Sequence, residues 1–273
     1  LNAVKQITFA TESWAEWPSW TPDGRIVYGS DASGDEDLWI VGTDGRNPKQ
    51  LTANTLTNEF PSVSPDGRFV AFTGGRTGLP HIWKMDIDGG NPRQLTDGRG
   101  EAGPSWSPDG RWIYYTSIPP VGVVEKSTIW RIPSNGGTPA QITSSYSWWA
   151  DVSPDGKLIA CLFRKSDGSP LKVGVLPAEG GTPLKLLEIP PLASRLTWPP
   201  FRWSHDGKSL VDVENRNGVS NLWSFPLDGS KPKQLTNFQS DLVWSFVSSP
   251  DGTQLAVSRG MSASNAILIN NVQ

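Results

Sequence analysis

One four-residue motif recurs along the chain and sets its organisation. Ser/Thr-Pro-Asp-Gly stands at Thr21–Gly24, Ser64–Gly67, Ser107–Gly110, Ser153–Gly156 and Ser249–Gly252, with Ser204-His205-Asp206-Gly207 as a variant. Its aspartates are spaced 43, 43, 46, 51 and 45 residues apart. A second motif, Gln-Leu/Ile-Thr, keeps the same period at Gln6–Thr8, Gln50–Thr52, Gln94–Thr96, Gln141–Thr143 and Gln234–Thr236. Lys185-Leu186-Leu187 reads as its degraded sixth copy. Two independent motifs on one period define six repeats of one supersecondary unit. The chain carries 28 Gly and 24 Pro. At about 1 and 3 kcal/mol each in a helix interior, that density excludes a helical fold and suits short strands joined by tight turns.

Each unit reads as four strands, A to D. Strand A ends in the Pro-Asp-Gly turn, where Pro presets φ, Asp tolerates the second turn position and Gly takes the exit. Strand B follows at residues 25–30, 68–73, 111–116, 157–163, 209–213 and 254–258. Strand C carries Leu38-Trp39, Ile82-Trp83, Ile129-Trp130 and Leu222-Trp223 in four units. A second turn, such as Asp88-Gly89-Gly90 or Asn135-Gly136-Gly137, leads to the Gln-Leu-Thr strand D. Several B strands are apolar on both faces, as expected of a sheet packed between two others. Four strands per unit of about 45 residues is the propeller period. The fold class is therefore all-β, a six-bladed propeller of four-stranded antiparallel blades. The sixth unit stops after strand C at Ile267–Ile269, while Lys5–Thr8 precedes the first strand A. The N-terminal strand is expected to complete the last blade and remove its open edge. Residues 1–273 then make one domain.

Lys and Arg number 24 against 27 Asp and Glu, a formal charge of −3. This balance argues against nucleic acid as a partner. No run of about 20 apolar residues offers a membrane span. A single cysteine, Cys161, leaves no internal disulfide framework. The opening Leu-Asn-Ala-Val-Lys reads as a mature or excised piece.

The Ser-Pro-Asp-Gly, Leu-Trp, Asp-Gly-Gly and Gln-Leu-Thr series resembles the WD40-like (PD40) repeats of TolB-type six-bladed propellers, over essentially the whole chain. TolB itself also has an N-terminal α/β domain, which has no counterpart here. The resemblance implies a binding propeller in a periplasmic or extracytoplasmic setting. Related propellers serve as sensor domains of bacterial serine/threonine kinases and as accessory domains of peptidases.

The A–B and C–D turns are nearly uniform. The B–C connections vary: 31–37, 74–80, 118–127, 164–170, 214–220 and 260–264; the D–A connection 188–197 is enlarged. Variation confined to one face marks the expected binding face, with neutral drift of loops as the alternative. Five residues before each Pro-Asp-Gly motif's Ser or Thr stand Glu16, Glu59, Ala102, Trp148, Trp198 and Trp244, and Glu101 adjoins Ala102. Three blades thus offer carboxylates and three offer indoles at the channel mouth. Such arcs suit a cationic side chain, or a sugar that stacks and donates hydrogen bonds. The alternative is that the indoles pack between blades and the glutamates are solvated.

The six turn aspartates recur because the turn requires them. The acidic loop Asp31, Asp35, Glu36, Asp37 lacks the spacing of a calcium loop and reads as a solvated rim. The two histidines, His81 and His205, are scattered and offer no zinc cluster. Cys161 lies in a B strand and reads as core. No nucleophile elbow or His-Glu-x-x-His is present. The expectation is a non-catalytic, monomeric module without cofactor or metal, receiving a protein segment or small ligand at the variable face. The alternative is a hydrolase or lyase using mouth carboxylates, or the gating propeller of a peptidase.

Overall fold

The structure, a computed structural model, describes residues 4–8, 13–53, 55–120, 126–188, 199–260 and 265–270. Six four-stranded antiparallel sheets, five built from consecutive strands and one completed by β1, are the blades of a six-bladed β-propeller. By backbone contacts the chain separates into two compact units, Leu1–Asn54 with Pro190–Gln273, and Thr55–Ile189.

In the first unit, β1 (Val4–Gln6) precedes the blade β2 (Ala15–Trp20), β3 (Arg25–Ser30), β4 (Asp37–Gly42) and β5 (Lys49–Gln50). The second unit holds three blades. These are β6 (Asn58–Val63) to β9 (Arg93–Gln94), β10 (Glu101–Trp106) to β13 (Ala140–Gln141), and β14 (Ser147–Val152) to β17 (Lys185–Leu187). Their inner strands are β7 (Phe69–Gly74), β8 (His81–Asp86), β11 (Trp112–Ser117), β12 (Thr128–Pro133), β15 (Leu158–Phe163) and β16 (Lys172–Pro177). The first unit then resumes with β18 (Phe201–Trp203), β19 (Ser209–Arg216), β20 (Val219–Pro226) and β21 (Lys233–Gln234). Its last blade is β22 (Leu242–Ser248), β23 (Gln254–Gly260) and β24 (Asn265–Asn270), and β1 supplies the fourth strand. Val4 pairs Ile269, Lys5 pairs Leu268 and Gln6 pairs Ile267, the closure expected of residues 5–8.

Two readings shift by small amounts. The stretch 214–220 is a long hairpin rather than a loop. Asn217 (φ 54°) and Gly218 (φ 82°) form a two-residue turn of the I′ kind, and the ladder runs on to Arg216↔Val219. In the fourth blade Leu186 lies opposite Gly174, as Gln50 lies opposite Trp39 and Gln141 opposite Trp130. The degraded copy of Gln-Leu-Thr is therefore Leu186-Leu187-Glu188, one residue later than the sequence pattern suggests.

The repeat motifs earn their recurrence through hydrogen bonds. In the A–B turn of β10 and β11, Ser107 Oγ donates to Asp109 Oδ1 (2.6 Å) and accepts from Trp112 N–H (2.9 Å), while Arg111 N–H donates to Asp109 Oδ1 (3.0 Å). In strand D the threonine hydroxyl accepts the backbone N–H of strand C, as Thr52 does from Leu38 and Thr143 from Ile129, both at 2.9 Å. The Gln side chain folds back on the same threonine's carbonyl, as Gln94 Nε2 does on Thr96 O at 2.6 Å. In the second unit neighbouring blades are fastened by Trp106 Nε1–H donating to Ser62 O (2.9 Å) and by the buried Lys84 ammonium donating to Ser134 O (2.7 Å). Lys84 Nζ also lies 4.2 Å from the Phe69 ring centroid. Arg131 reaches Glu179 at 2.5 Å and stacks on Trp112.

The turn hydroxyls hold the Asp carboxyls below the usual range. Ser107 and Ser249 bring Asp109 and Asp251 down to about 2, and Asp23, Asp66, Asp155 and Asp206 are lowered by the same kind of clasp, with Arg25 the leading partner at Asp23. A carboxyl lowered in the folded state stabilises the fold above its unfolded pKa, and the contribution is lost as pH falls through the folded value. The melting temperature is therefore expected to hold from pH 7 to about 5, then fall between about 4 and 2. Asp109→Asn should flatten that fall, and thermal melts across the pH series check it.

Candidate functional site

Strand A begins with an irregularity shared across blades. In the second unit, Glu59 pairs Thr73 and Ser62 pairs Ala71, so three steps on strand A match two on strand B. The same extra residue lies between Ala102 and Ser105 and between Trp148 and Asp151. In the first unit it lies between Glu16 and Ser19 and between Val243 and Ser245. These are β-bulges, which bend a strand and re-aim side chains. In four of them the inserted residue is left-handed: Trp17 (φ 53°), Phe60 (φ 52°), Gly103 (φ 67°) and Trp149 (φ 61°). Only one is glycine. For a bulky residue this conformation costs of order 1–3 kcal/mol and persists where its surroundings over-determine it.

Those surroundings are visible. Trp149 N–H donates to Thr116 Oγ1 (2.9 Å) and Gly103 N–H to Thr73 Oγ1 (3.1 Å), each hydroxyl lying on the preceding blade. In the first unit Trp17 N–H donates to Ser245 Oγ (2.9 Å). The Trp149 ring meets Phe60 edge to face at 4.8 Å, and a Cβ on Gly103 would stand 3.0 Å from it. Trp149 itself is buried. Trp149 and Trp17 thus make inter-blade contacts, and the residues just before Trp17, Phe60 and Trp149 are half-buried.

The sequence-derived candidates fall as follows. In the second unit Glu59 and Trp148 are half-buried at the step before the bulge. Glu101 is 3% exposed: its Oε2 accepts from His81 Nδ1 (2.6 Å) and Thr96 Oγ1 (2.9 Å). Its carboxylate is committed to the fold and offers nothing to a ligand. In the first unit Glu16 is half-buried at the equivalent step, while Trp244, also half-buried, is itself the inserted residue of its bulge, and its indole donates to Gly260 O (3.2 Å). Trp198 lies outside the described residues.

The other candidates are structural. Asp37 is 1% exposed and accepts from Thr52, Gln50 and Ser33. Asp31 caps Trp14 N–H at 2.8 Å. Cys161 is fully buried, and burial pushes its thiol up to about 12. His205 packs its ring and Cβ at the turn glycine Gly252, a contact that Pro108 makes with Gly156 in another blade. Among the described residues no group of three or more His, Cys, Asp or Glu side chains is placed to hold a metal ion, and no helix is long and apolar enough to cross a membrane. Sequence reading missed the bulge residues Phe60 and Trp149; their signal was a large aromatic directly after the aligned carboxylate or indole.

The family profile described as the tricorn protease N-terminal β-propeller domain matches residues 32–172. An uncharacterized protein of Agrobacterium fabrum is 30% identical over 204 residues, covering 71% of this chain and 67% of its own. The crystal structure of TolB from Acinetobacter baumannii superposes with a TM-score of 0.67 at 21% identity, over 92% of this chain and 64% of that one. A gluconolactonase from Xanthomonas campestris superposes with a TM-score of 0.71 at 14% identity, over 100% of this chain and 90% of that one. The chain thus spans just under two thirds of the TolB chain it resembles. Both likenesses to solved structures are of fold.

Proposed function

The chain belongs to the family of the tricorn protease N-terminal β-propeller domain, and from that premise we propose that it is a non-catalytic binding propeller. It takes a partner segment on the face where the A strands begin. The observation that carries this reading is the bulge of the second unit. Strained Phe60 and Trp149 pack edge to face on one another, Trp149 N–H is also held by the Thr116 hydroxyl of the preceding blade, and each is preceded by a half-buried side chain, Glu59 or Trp148. The carboxylate and the indole suit a Lys- or Arg-bearing segment. Cation–π contact gives about 0.5–2 kcal/mol and a shielded carboxylate about 1.5–3 kcal/mol. Glu16 and Trp244 hold the same repeat position in the other unit. Resemblance to TolB supports an extracytoplasmic setting and a protein partner. A role as sensor domain of a larger protein fits the same reading.

A titration with short Lys- and Arg-containing peptides tests it. Glu59→Gln or Trp148→Ala should weaken binding about fivefold to fiftyfold while the melting temperature stays within a few degrees. Unaltered affinity in both variants removes this face from the reading. The gluconolactonase likeness motivates a parallel screen over lactone, ester, peptide and glycoside substrates. No turnover above background is expected; turnover abolished by Glu59→Gln would establish an enzyme instead.

A further inference from the structure

One blade breaks the repeat in a concerted way. Strand C of the others carries Trp39, Trp83, Trp130, Trp223 or, in the last blade, Ile267 at one ladder position; β16 has Gly174 there. In the second unit, β7 ends in Gly74, whose added Cβ would lie 2.9 Å from the Trp83 ring. Strand β15 ends instead in Phe163, and a Cβ on Gly174 would lie 2.9 Å from the Phe163 Cβ. Large and small residues have exchanged strands, so a phenyl partly replaces an indole on the flank facing the preceding blade. The exchange leaves room. The groove bordered by Trp130 measures about 340 Å³, and the groove beside Phe163 and Leu186 about 870 Å³. In the first unit, the groove along the blade with Ile267 measures about 520 Å³.

The rim changes in step. Where four other blades place a glutamine clasped to its own threonine carbonyl and one places Gln50 clasped to Asp37, this blade places Leu186, 43% exposed, beside Leu184, 63% exposed. Exposed leucines beside a groove are what a docking surface presents. The floor is apolar, with Ile142, Phe163 and Pro183. Lys165 stands at one end and makes no ion pair among the described residues.

We infer that this groove docks an aromatic side chain, an indole above all, carried on an extended segment of a partner protein with a carboxylate nearby. The repeat itself argues for that occupant: in the adjacent blade Trp130 joins one hydrophobic cluster with Leu95 of the preceding strand D, and Ile142, in the equivalent strand D, belongs to the cluster of Phe163 here. Lys165 supplies the complement for the carboxylate. The groove is lined by neither Glu59 nor Trp148, so its test does not rest on theirs.

The test uses acetyl-Thr-Trp-Thr-Glu-amide with 5-fluorotryptophan, followed by fluorine NMR against the whole chain. Saturable binding with a dissociation constant of about 1 mM or tighter is expected. Phe163→Ser with Gly174→Trp rebuilds the Ser117 and Trp130 arrangement of the adjacent blade and should abolish binding at an unchanged melting temperature. Leu186→Asp, on an exposed side chain, should weaken binding at least tenfold and carries the test alone if the double variant misfolds. Equal affinity in native and Leu186→Asp chains, or equal affinity for the Trp→Ala peptide, overturns the proposal. So does native-chain self-association lost in Leu186→Asp, which would make the occupant a second copy.

Discussion

Removing residues 1–8 is expected to lower the melting temperature by roughly 6–15 °C, the largest effect of any small deletion in this chain. The deletion takes away β1 and its three ladder pairs with β24, and it takes away Ile7. Ile7 is 1% exposed and belongs to the cluster of Ala15, Trp20, Ile26, Val41 and Leu268. Burying one such side chain is worth about 1.5–3 kcal/mol, and the lost ladder adds to it. With about 2–4 °C per kcal/mol in a domain of this size, the range follows. In the intact chain Ile7→Ala should reproduce about half of the loss. Calorimetry of the truncation and the point variant decides it; an unchanged midpoint would mean β1 is no part of the folded blade in solution.

Glu101→Ala is expected to cost about 3–5 kcal/mol, the larger of the two single-residue effects drawn here. The carboxylate satisfies His81 Nδ1 and Thr96 Oγ1 where both side chains of the His81–Glu101 pair are less than a tenth exposed. Thr96 Oγ1 in turn accepts Ile82 N–H, so the deletion disturbs the clasp between strands C and D of that blade. Glu101→Gln keeps hydrogen-bonding atoms and should cost distinctly less. Denaturant titration of both variants separates the reading from simple loss of volume. If Ala and Gln behave alike, the hydrogen bonds are not what Glu101 contributes.

The fold was legible because its determinants are local and repeated. Ser-Pro-Asp-Gly writes its own turn, and the bonds of Ser107, Asp109 and Arg111 are short-range in sequence. Gln-Leu-Thr is legible for the same reason, since its threonine answers a strand C residue 14 positions earlier. The candidate site was legible only as a repeat position. Counting back from the turn found Glu59 and Trp148 but not the bulge, because left-handed Trp149 and Gly103 are held by Thr116 and Thr73 of preceding blades. The adjacent aromatic marks the position, but the hydroxyl that holds it lies on another blade. Glu101 was misjudged for a related reason. Next to Ala102 it looks like a carboxylate one step out of phase, and only the arrival of His81 from the neighbouring blade shows what it serves. The swap of Phe163 for Gly174 was written in the sequence as a missing tryptophan, yet its partner lies on another strand and becomes visible only once the register is known.

The last blade pairs strands far apart in sequence, with Gln6 beside Ile267, and this sets an order of events in the folding of the propeller. Of the propeller's own strands, the one made earliest pairs with the one made latest. At about 5–20 residues per second, Val4–Gln6 waits about 15–50 s for its partner. While it waits it is a free strand, and β24 arrives to find β23 already presenting an edge. The sequence manages the delay by keeping the waiting strand short and wet: three residues, two of them Lys5 and Gln6, all exposed even in the finished blade. Such a strand adds little to a wrong partner. Completion of this blade therefore becomes the slow, non-local step of folding, while the five blades made of consecutive strands form locally ahead of it.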